Sequence, residues 1–387
     1  MTPELFSWCE ISAEALRQNV AMLRRRLGTG KKLGVVVKAD AYGHGVDVVA
    51  PVLVSAGVDW LVVNAAREAV GLRKLAADVP IYVCGPLLEF EAPAVVAARA
   101  RAVVVDVDVV RALGSASVAA GVVTPVHVKV ETGTHRQGLR AHEVKAFVDV
   151  VRGTAGLRLE GLTTHFADIE DTTDHRFADR QLATLLEARA AVGDDVMIHS
   201  ANSAATLLDE RTHGDLVRVG IAAYGLWPSK ETQAAWLERR MSSSETLPPG
   251  DSPVLVPVLS WRARLTQVKD VAAGGYVGYG RTFRATHHTR IAIVPVGYHE
   301  GYDRRLSNVA HVVVDGVRCP VRGRVCMNMM MIDVTDAPGA RPGAVATLIG
   351  TDGDERVSAE QLASWMGTIH YEVTSRIHPC IPRVRTV

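Results

Sequence analysis

Val35-Val36-Val37-Lys38-Ala39-Asp40-Ala41-Tyr42-Gly43-His44-Gly45 is the stretch from which the architecture of this 387-residue chain can be read. Three β-branched residues in succession read as a fully buried strand. The strand runs out on a lysine and opens into a turn carrying Tyr42, Gly43, His44 and Gly45. An amine at a strand end overhangs a cleft, where partial loss of water leaves it nucleophilic toward carbonyl compounds. Taken alone, a strand-end lysine is more often simply solvated. The rest of the chain reverses that reading.

Outward from this stretch, short apolar β-branched runs alternate with longer Ala/Leu/Arg/Glu-rich segments up to about residue 225. The runs at 33–38, 59–64, 80–84, 102–106, 125–131, 159–165, 196–200 and 216–219 are predicted strands. Segments 12–27, 65–75, 141–151 and 174–192 have helical spacing, and Ser12 is placed to cap the first of them. Eight strands alternating with helices predict a parallel (β/α)8 TIM barrel. A doubly wound sheet is the competitor, but no G-x-G-x-x-G follows the first strand. Residues 229–252 are polar and rich in Pro and Ser and read as a linker. Beyond them the segments are short and strand-like with frequent Gly and Pro, at 254–265, 289–296, 310–314, 316–321 and 344–349, with one helix around 358–365. The expected division is a barrel over 10–230 and a mostly-β domain built from 1–9 and 231–387.

Composition narrows the function. The chain is 48% hydrophobic and 22% charged with a formal net charge of +1, without the basic surplus a nucleic-acid binder needs. Arg24-Arg25-Arg26 closes a predicted helix, where cations suit the C-terminal dipole. The five cysteines are scattered without a C-x-x-C pair, which argues against a zinc site or a disulfide framework and for a reducing compartment. No long apolar run suggests a signal peptide or a membrane span. A cytoplasmic protein is expected, with no metal.

In a TIM barrel the active site gathers at the C-terminal ends of the strands. Those ends carry Lys38, Lys129 with Arg136 beyond it, His165, Asn202 with Ser203, and Arg218. Each has an ordinary explanation singly, as a packed histidine or a solvated arginine. Their collection on one rim favours chemistry.

The segments around these residues carry a resemblance. Residues 36–45 (VVKADAYGHG), 127–138 (HVKVETGTHRQG), 161–166 (GLTTHF), 199–204 (HSANSA) and 217–226 (VRVGIAAYGL) in the first part, with 277–282 (VGYGRT), 295–298 (PVGY) and 323–333 (GRVCMNMMMID) in the second, resemble the alanine racemase family. These are fold-type III pyridoxal 5'-phosphate (PLP) enzymes, and the similarity runs over nearly the whole chain. The resemblance implies that Lys38 holds PLP and serves as the base on one face of Cα, while Tyr279 serves the other face. Racemisation needs two bases, because one proton leaves and another arrives on opposite sides of a planar carbon. An ordinary phenol, with a pKa about 10, is a poor base at neutral pH, so the family's His165 is expected to support Tyr279 and touch Arg218. Arg218 would face the pyridine nitrogen, where a guanidinium disfavours protonation and so limits side reactions.

By the same resemblance, Tyr42, Ser203 and the amides of Gly220 and Ile221 would hold the phosphate, with Asn202 beside them. Arg136 would meet the phenolic oxygen and the substrate carboxylate. Lys129 would be carbamylated and orient Arg136. Tyr279, Met327 and Tyr298 would reach the site from a second subunit, so that a homodimer shares its active sites, and Asn328 would lie beside the substrate entrance. The implied reaction interconverts L- and D-alanine, with another small amino acid such as serine as the alternative. A fold-type III decarboxylase and a non-catalytic PLP-binding protein also remain; Arg218 argues against the first, and Tyr279 with the second domain against the other. The chain departs from the family pattern at Thr134, often methionine; at Asn328, usually aspartate; at His299-Glu300, usually Ala-Asp; and at Pro379, where some members carry a phosphate-contacting tyrosine.

Overall fold

The computed structural model describes residues 4–242 and 255–387, and these separate into two compact units. One comprises Ala15–Ala41 and Val49–Val256; the other comprises the N-terminal residues to Glu14, Tyr42–Val48 and Pro257–Val387.

The first strand, β1 (Ser7–Ser12), belongs to the second of these units. The next eight build the first: β2 (Lys32–Val36), β3 (Trp60–Val63), β4 (Ile81–Val83), β5 (Arg101–Val104), β6 (Thr124–Lys129), β7 (Leu157–Thr163), β8 (Met197–His199) and β9 (Leu216–Val219). They form one parallel sheet in the order β8-β7-β6-β5-β4-β3-β2-β9. Asp215 N donates to Ile198 O at 2.9 Å and Arg218 N to Ala201 O at 3.0 Å, which draws the two end strands together. The result is a nearly closed eight-stranded barrel, as its sequence predicts. All eight expected strands are present.

Side chains from alternate strands meet inside the barrel, as layers of this fold do. The rings of Trp60 (β3), Tyr82 (β4), His127 (β6) and His199 (β8) pack against one another with centroids 4.9–6.2 Å apart, and the Arg101 guanidinium lies 4.5 Å over Trp60. The layer is therefore aromatic and polar where aliphatic side chains are usual.

The second unit is mostly β. Its main sheet has the order β16-β15-β18-β10-β1-β20, with β19 beside β18. These are β10 (Leu259–Arg264), β15 (His311–Val314), β16 (Val317–Pro320), β18 (Val345–Asp352), β19 (Glu355–Val357) and β20 (Arg383–Thr386). A smaller sheet joins β11 (Gln267–Val271), β14 (Thr289–Val294) and β17 (Met330–Asp333), and β12 (Tyr276–Val277) pairs with β13 (Phe283–Arg284). The helix predicted at 358–365 forms as Ala359–Met366, with Ser358 and Gln361 making a reciprocal capping box.

Two local expectations need correction. Lys38 does not end a strand: β2 stops at Val36, and Lys38 begins a turn in which Ala39, Asp40, Ala41 and Tyr42 all have φ of 52–55°. The expected linker begins instead as a helix, Lys230–Ser242, and its remainder at 243–252 lies outside the described residues. The polar composition that suggested a linker also suits a solvated helix face. Among the described residues, no helix is long and apolar enough to cross a membrane.

Candidate active site

Lys38 is half-buried at the root of the left-handed turn. Consecutive left-handed dihedrals cost L-residues about 1–2 kcal/mol each, so the surroundings must hold them. Ala41 N donates back to Val37 O at 2.9 Å, and Ala39 N to the Glu68 carboxylate at 2.8 Å. Glu68 also accepts from Asn64 N and Ala65 N, so one carboxylate ties the turn to the start of the next helix. At the far end of the turn a side chain on Gly43 would sit 2.0 Å from Thr374 O, and only glycine fits.

The barrel mouth concentrates positive charge. Burial lowers the His165 pKa well below its ordinary value, and Arg218, Arg136, Lys129 and Lys38 lower it further, in that order. Lys129 is buried, with Nζ 3.4 Å from Gln137 Oε1. Burial first, then Arg218 and Arg136, bring its amine down to about 8. His127 shares a strand face with Lys129, opposite Val126 and Val128. Four basic side chains thus bear on a histidine that burial keeps neutral, an arrangement suited to an anionic ligand.

Arg218, 8% exposed, is held by four acceptors. Its Nη1 donates to His199 Nδ1 at 2.5 Å and to His199 O at 2.9 Å, and its Nη2 donates to Thr164 O at 2.7 Å and Ser200 O at 3.2 Å. Its hydrogen bonds go to these groups, while its influence on His165 is through charge. Beyond His199 the contacts continue across the barrel: His199 Nε2 to His127 Nδ1 at 2.9 Å, and His127 Nε2 to Glu160 Oε2 at 3.0 Å. Glu160 also accepts from Arg101 Nε at 2.7 Å and Arg158 Nη2 at 2.9 Å.

The proton positions follow from chemistry. A carboxylate only accepts, so His127 carries its proton on Nε2 and offers a lone pair at Nδ1. His199 must then donate from Nε2 and accept the guanidinium proton at Nδ1. Every link is satisfied with both imidazoles neutral, which agrees with burial lowering both of their pKa values. Burial pushes the Glu160 carboxyl up, but the bond from His127 and the charges around it prevail and hold it at about 2. A buried cation and its distant anion are joined through two oriented rings.

Ser203 begins the short helix Ser203–Leu208 and is buried. Its Oγ accepts from Gly220 N at 2.9 Å and, more weakly, from Ala222 N at 3.4 Å. Ile221 opens the 3-10 turn Ile221–Tyr224 just after β9, and Tyr224 OH bonds Val36 O on the strand that leads to the lysine. The Asn202 side chain is engaged twice: Oδ1 caps the helix through Ala205 N, and Nδ2 donates to Glu170 at 2.7 Å. Thr134, at a departure from the family pattern, donates its hydroxyl to Glu131.

The remaining sequence candidates lie in the β-rich unit, and they are exposed: Tyr279 is 72%, Met327 56% and Tyr298 43% accessible. Tyr279 sits in a 3-10 turn between Gly278 and Gly280, both at positive φ. Beside Tyr298 is an open pocket of about 510 Å³ lined by Gly301, Asp303, Arg304 and Arg376. Asn328 donates to the Glu300 carboxylate at 2.7 Å, and Glu300 also accepts Gly297 N at 2.8 Å. The Asn328 amide thus gives Glu300 a neutral donor at a position where the family usually carries aspartate. Tyr42 clusters with this unit, its ring 6.1 Å from Tyr371. Pro379 is exposed and has neither a hydroxyl nor an N–H.

Sequence reasoning missed His127, His199 and Glu160 as parts of the site. Strand alternation places His127 on the face of Lys129, which was a usable signal. Nothing local announces that residues 127 and 199 bond across the barrel.

Comparison with known proteins agrees with this architecture. The family model for the alanine racemase N-terminal domain matches residues 11–228 and that for the C-terminal domain matches residues 258–385. The alanine racemase of Syntrophobacter fumaroxidans is 39% identical over 370 residues, covering 95% of this chain and 94% of that protein. The Bacillus anthracis alanine racemase, solved with L-Ala-P bound, superposes with a TM-score of 0.88 at 31% identity, covering 100% of this chain and 96% of that one. The Bartonella henselae alanine racemase, solved with covalently bound pyridoxal phosphate, shares the fold with a TM-score of 0.84 at 24% identity, covering 99% of this chain and 100% of that one. A barrel bearing a rim lysine and a buried arginine, followed by a mostly-β domain, is the architecture of PLP-dependent isomerases. The chain belongs to the alanine racemase family and is an amino-acid racemase.

Proposed function

We propose that the chain interconverts L- and D-alanine by two-base proton transfer, with PLP held at Lys38. The observation that carries this reading is the convergence of Lys38, Lys129, Arg136 and Arg218 on His165. A dianionic phosphate, a phenolic oxygen, a substrate carboxylate and a carbamate on Lys129 would supply the negative charge that such a cluster lacks. Lys38 is the amine that would hold the cofactor, the Ser203 hydroxyl with the Gly220 and Ile221 amides would take its phosphate, and Arg218 would stand behind its ring nitrogen. When bound, PLP withdraws electrons from the substrate Cα and makes its proton acidic.

The protein's own groups do the rest. Lys38 Nζ takes or returns the Cα proton on one face, and the Tyr279 phenol does so on the other. Burial lowers the Arg218 pKa, but a guanidinium starts from so high a value that it keeps its proton, and every bond it makes is a donation. It stays a cation and keeps charge off the ring nitrogen, which favours reprotonation at Cα over other outcomes. Arg136 orients the carboxylate, and Lys129 is carbamylated: its lowered pKa leaves neutral amine to add CO2 near neutral pH. Tyr279 reaches the lysine of a second subunit together with Tyr298, Met327 and Asn328. The high exposure of the first three supports a surface awaiting a partner.

Deuterium uptake at Cα in heavy water, run with L- and D-alanine and with both serine enantiomers, tests the reading. Exchange with both alanine enantiomers, accompanied by interconversion, is expected. Exchange confined to serine would move the substrate assignment, and exchange with neither amino acid would overturn it.

A further inference from the structure

Two of the places where the sequence leaves the family pattern meet in space. His299 follows the PVGY segment, and His378 and Cys380 flank Pro379 near the C-terminus. One nitrogen of each imidazole and the Cys380 sulfur all lie within 4.8 Å of one another, and the two rings are 4.7 Å apart. We propose that His299, His378 and Cys380 bind a soft divalent transition-metal cation of the zinc class, with water in the fourth position.

The donor set fits that cation. Two imidazoles and a thiolate are ligands that zinc prefers over harder ions, and three protein ligands leave one position open. Ligand atoms around tetrahedral zinc stand about 3.3–3.8 Å apart. The three side chains therefore need to close by about an ångström, within reach of small rotations about their own bonds.

The backbone beneath them is already fixed. His378 N donates to Glu300 O at 3.0 Å, joining the two segments directly. A side chain on Gly301 would stand 2.4 Å from Arg376 O, so the segments pack backbone against backbone. His299 N donates to Met327 O at 2.9 Å, and His378 O accepts from Ile381 N at 3.0 Å and Arg383 Nη1 at 2.8 Å. This is the kind of rigid support that orients ligands in metal sites. His378 Nδ1 accepts the Cys380 N–H at 3.1 Å, so its lone pair points toward the residue that carries the thiol. A cation taking that lone pair replaces one backbone contact with a metal bond. Binding breaks the Cys380 S–H bond, forms a metal–sulfur bond and releases one proton to buffer.

Cysteine spacing pointed away from zinc because the third ligand comes from about 80 residues earlier, where no spacing rule reaches. The inference stands apart from the racemase reading, since none of the three residues has a role in it.

The test is zinc titration of the metal-stripped full chain by calorimetry in two buffers of different ionisation enthalpy, with elemental analysis of the product. One zinc per chain and one proton released are expected. Cys380→Ser should weaken binding at least tenfold and abolish the proton release. His299→Ala and His378→Ala should each weaken it at least tenfold, and Cys326→Ser should change nothing. All four positions are at or near the surface, and circular dichroism checks that each variant folds. Failure of the parent chain to retain zinc, or retention unchanged by Cys380→Ser or by both histidine substitutions, overturns the proposal.

Discussion

Arg218 and Tyr279 stand in opposite surroundings. Arg218 is 8% exposed and bonded to His199, Thr164 and Ser200, whereas Tyr279 is 72% exposed on a turn between two glycines. The barrel prepares its groups in advance: their orientation is set by contacts inside one chain. The β-rich unit displays its groups on the surface, where, on the proposed reading, a second subunit would complete their environment. Substitutions in the first region should act on folding as well as on chemistry, and those in the second on chemistry alone.

The largest effect is expected at Lys38. On the proposed reading Lys38→Ala removes the amine that would hold the cofactor and serve one face, and Cα exchange with either enantiomer should fall by more than about 10⁴-fold. Tyr279→Phe should slow interconversion by about 10²–10⁴-fold. Its urea unfolding should shift by no more than about 0.5 kcal/mol, because the hydroxyl is exposed. A Tyr279→Phe protein that racemises normally, or unfolds much more easily, would erase the contrast between the two regions.

Glu160→Gln tests the other half. It removes the anion that answers Arg218 through two imidazoles, and a buried cation left without its counter-charge should cost about 3–5 kcal/mol of stability in urea unfolding. The parent protein should show a matching acid dependence. The Glu160 carboxyl is held at about 2 in the fold against an ordinary 4.5, so its contribution, about 3 kcal/mol, is present above pH 4.5 and lost as pH falls toward 2. Unfolding curves between those limits should converge for Glu160→Gln and parent. The smallest effect concerns Lys129, lowered to about 8: a carbon-13 carbamate signal from labelled CO2 should strengthen as pH rises through that value. Lys129→Ala should lack it.

Much of the barrel was legible because strands buried on both faces appear as unbroken apolar runs, and a polar residue such as Lys38 or Arg218 stands out against them. The β-rich unit was legible as a class, though not in its strand order, since pairing such as β1 with β20 joins opposite ends of the chain. Within the candidate site, Ser203 was readable from its place after a strand, whereas Gly220 entered only through the family resemblance. The His127–His199 contact was not, because it depends on two strands facing each other across a closed barrel. The helix Lys230–Ser242 reads as linker in the sequence because serine and proline crowd the dozen residues around and after its C-terminal end. The left-handed turn was invisible for a simpler reason: Ala39-Asp40-Ala41-Tyr42 contains no glycine to announce positive φ.

That turn has a consequence for how the lysine is aimed. Four residues wound against their natural hand do not keep their shape by themselves; Glu68, which accepts the Ala39 N–H, and the bond from Ala41 N to Val37 O hold them. If those neighbours slacken, the coil unwinds toward the ordinary hand and swings the amine at its root. The direction in which Lys38 points is thus tied to the carboxylate that holds the next residue's amide, and losing Glu68 can misdirect the amine without altering the lysine itself.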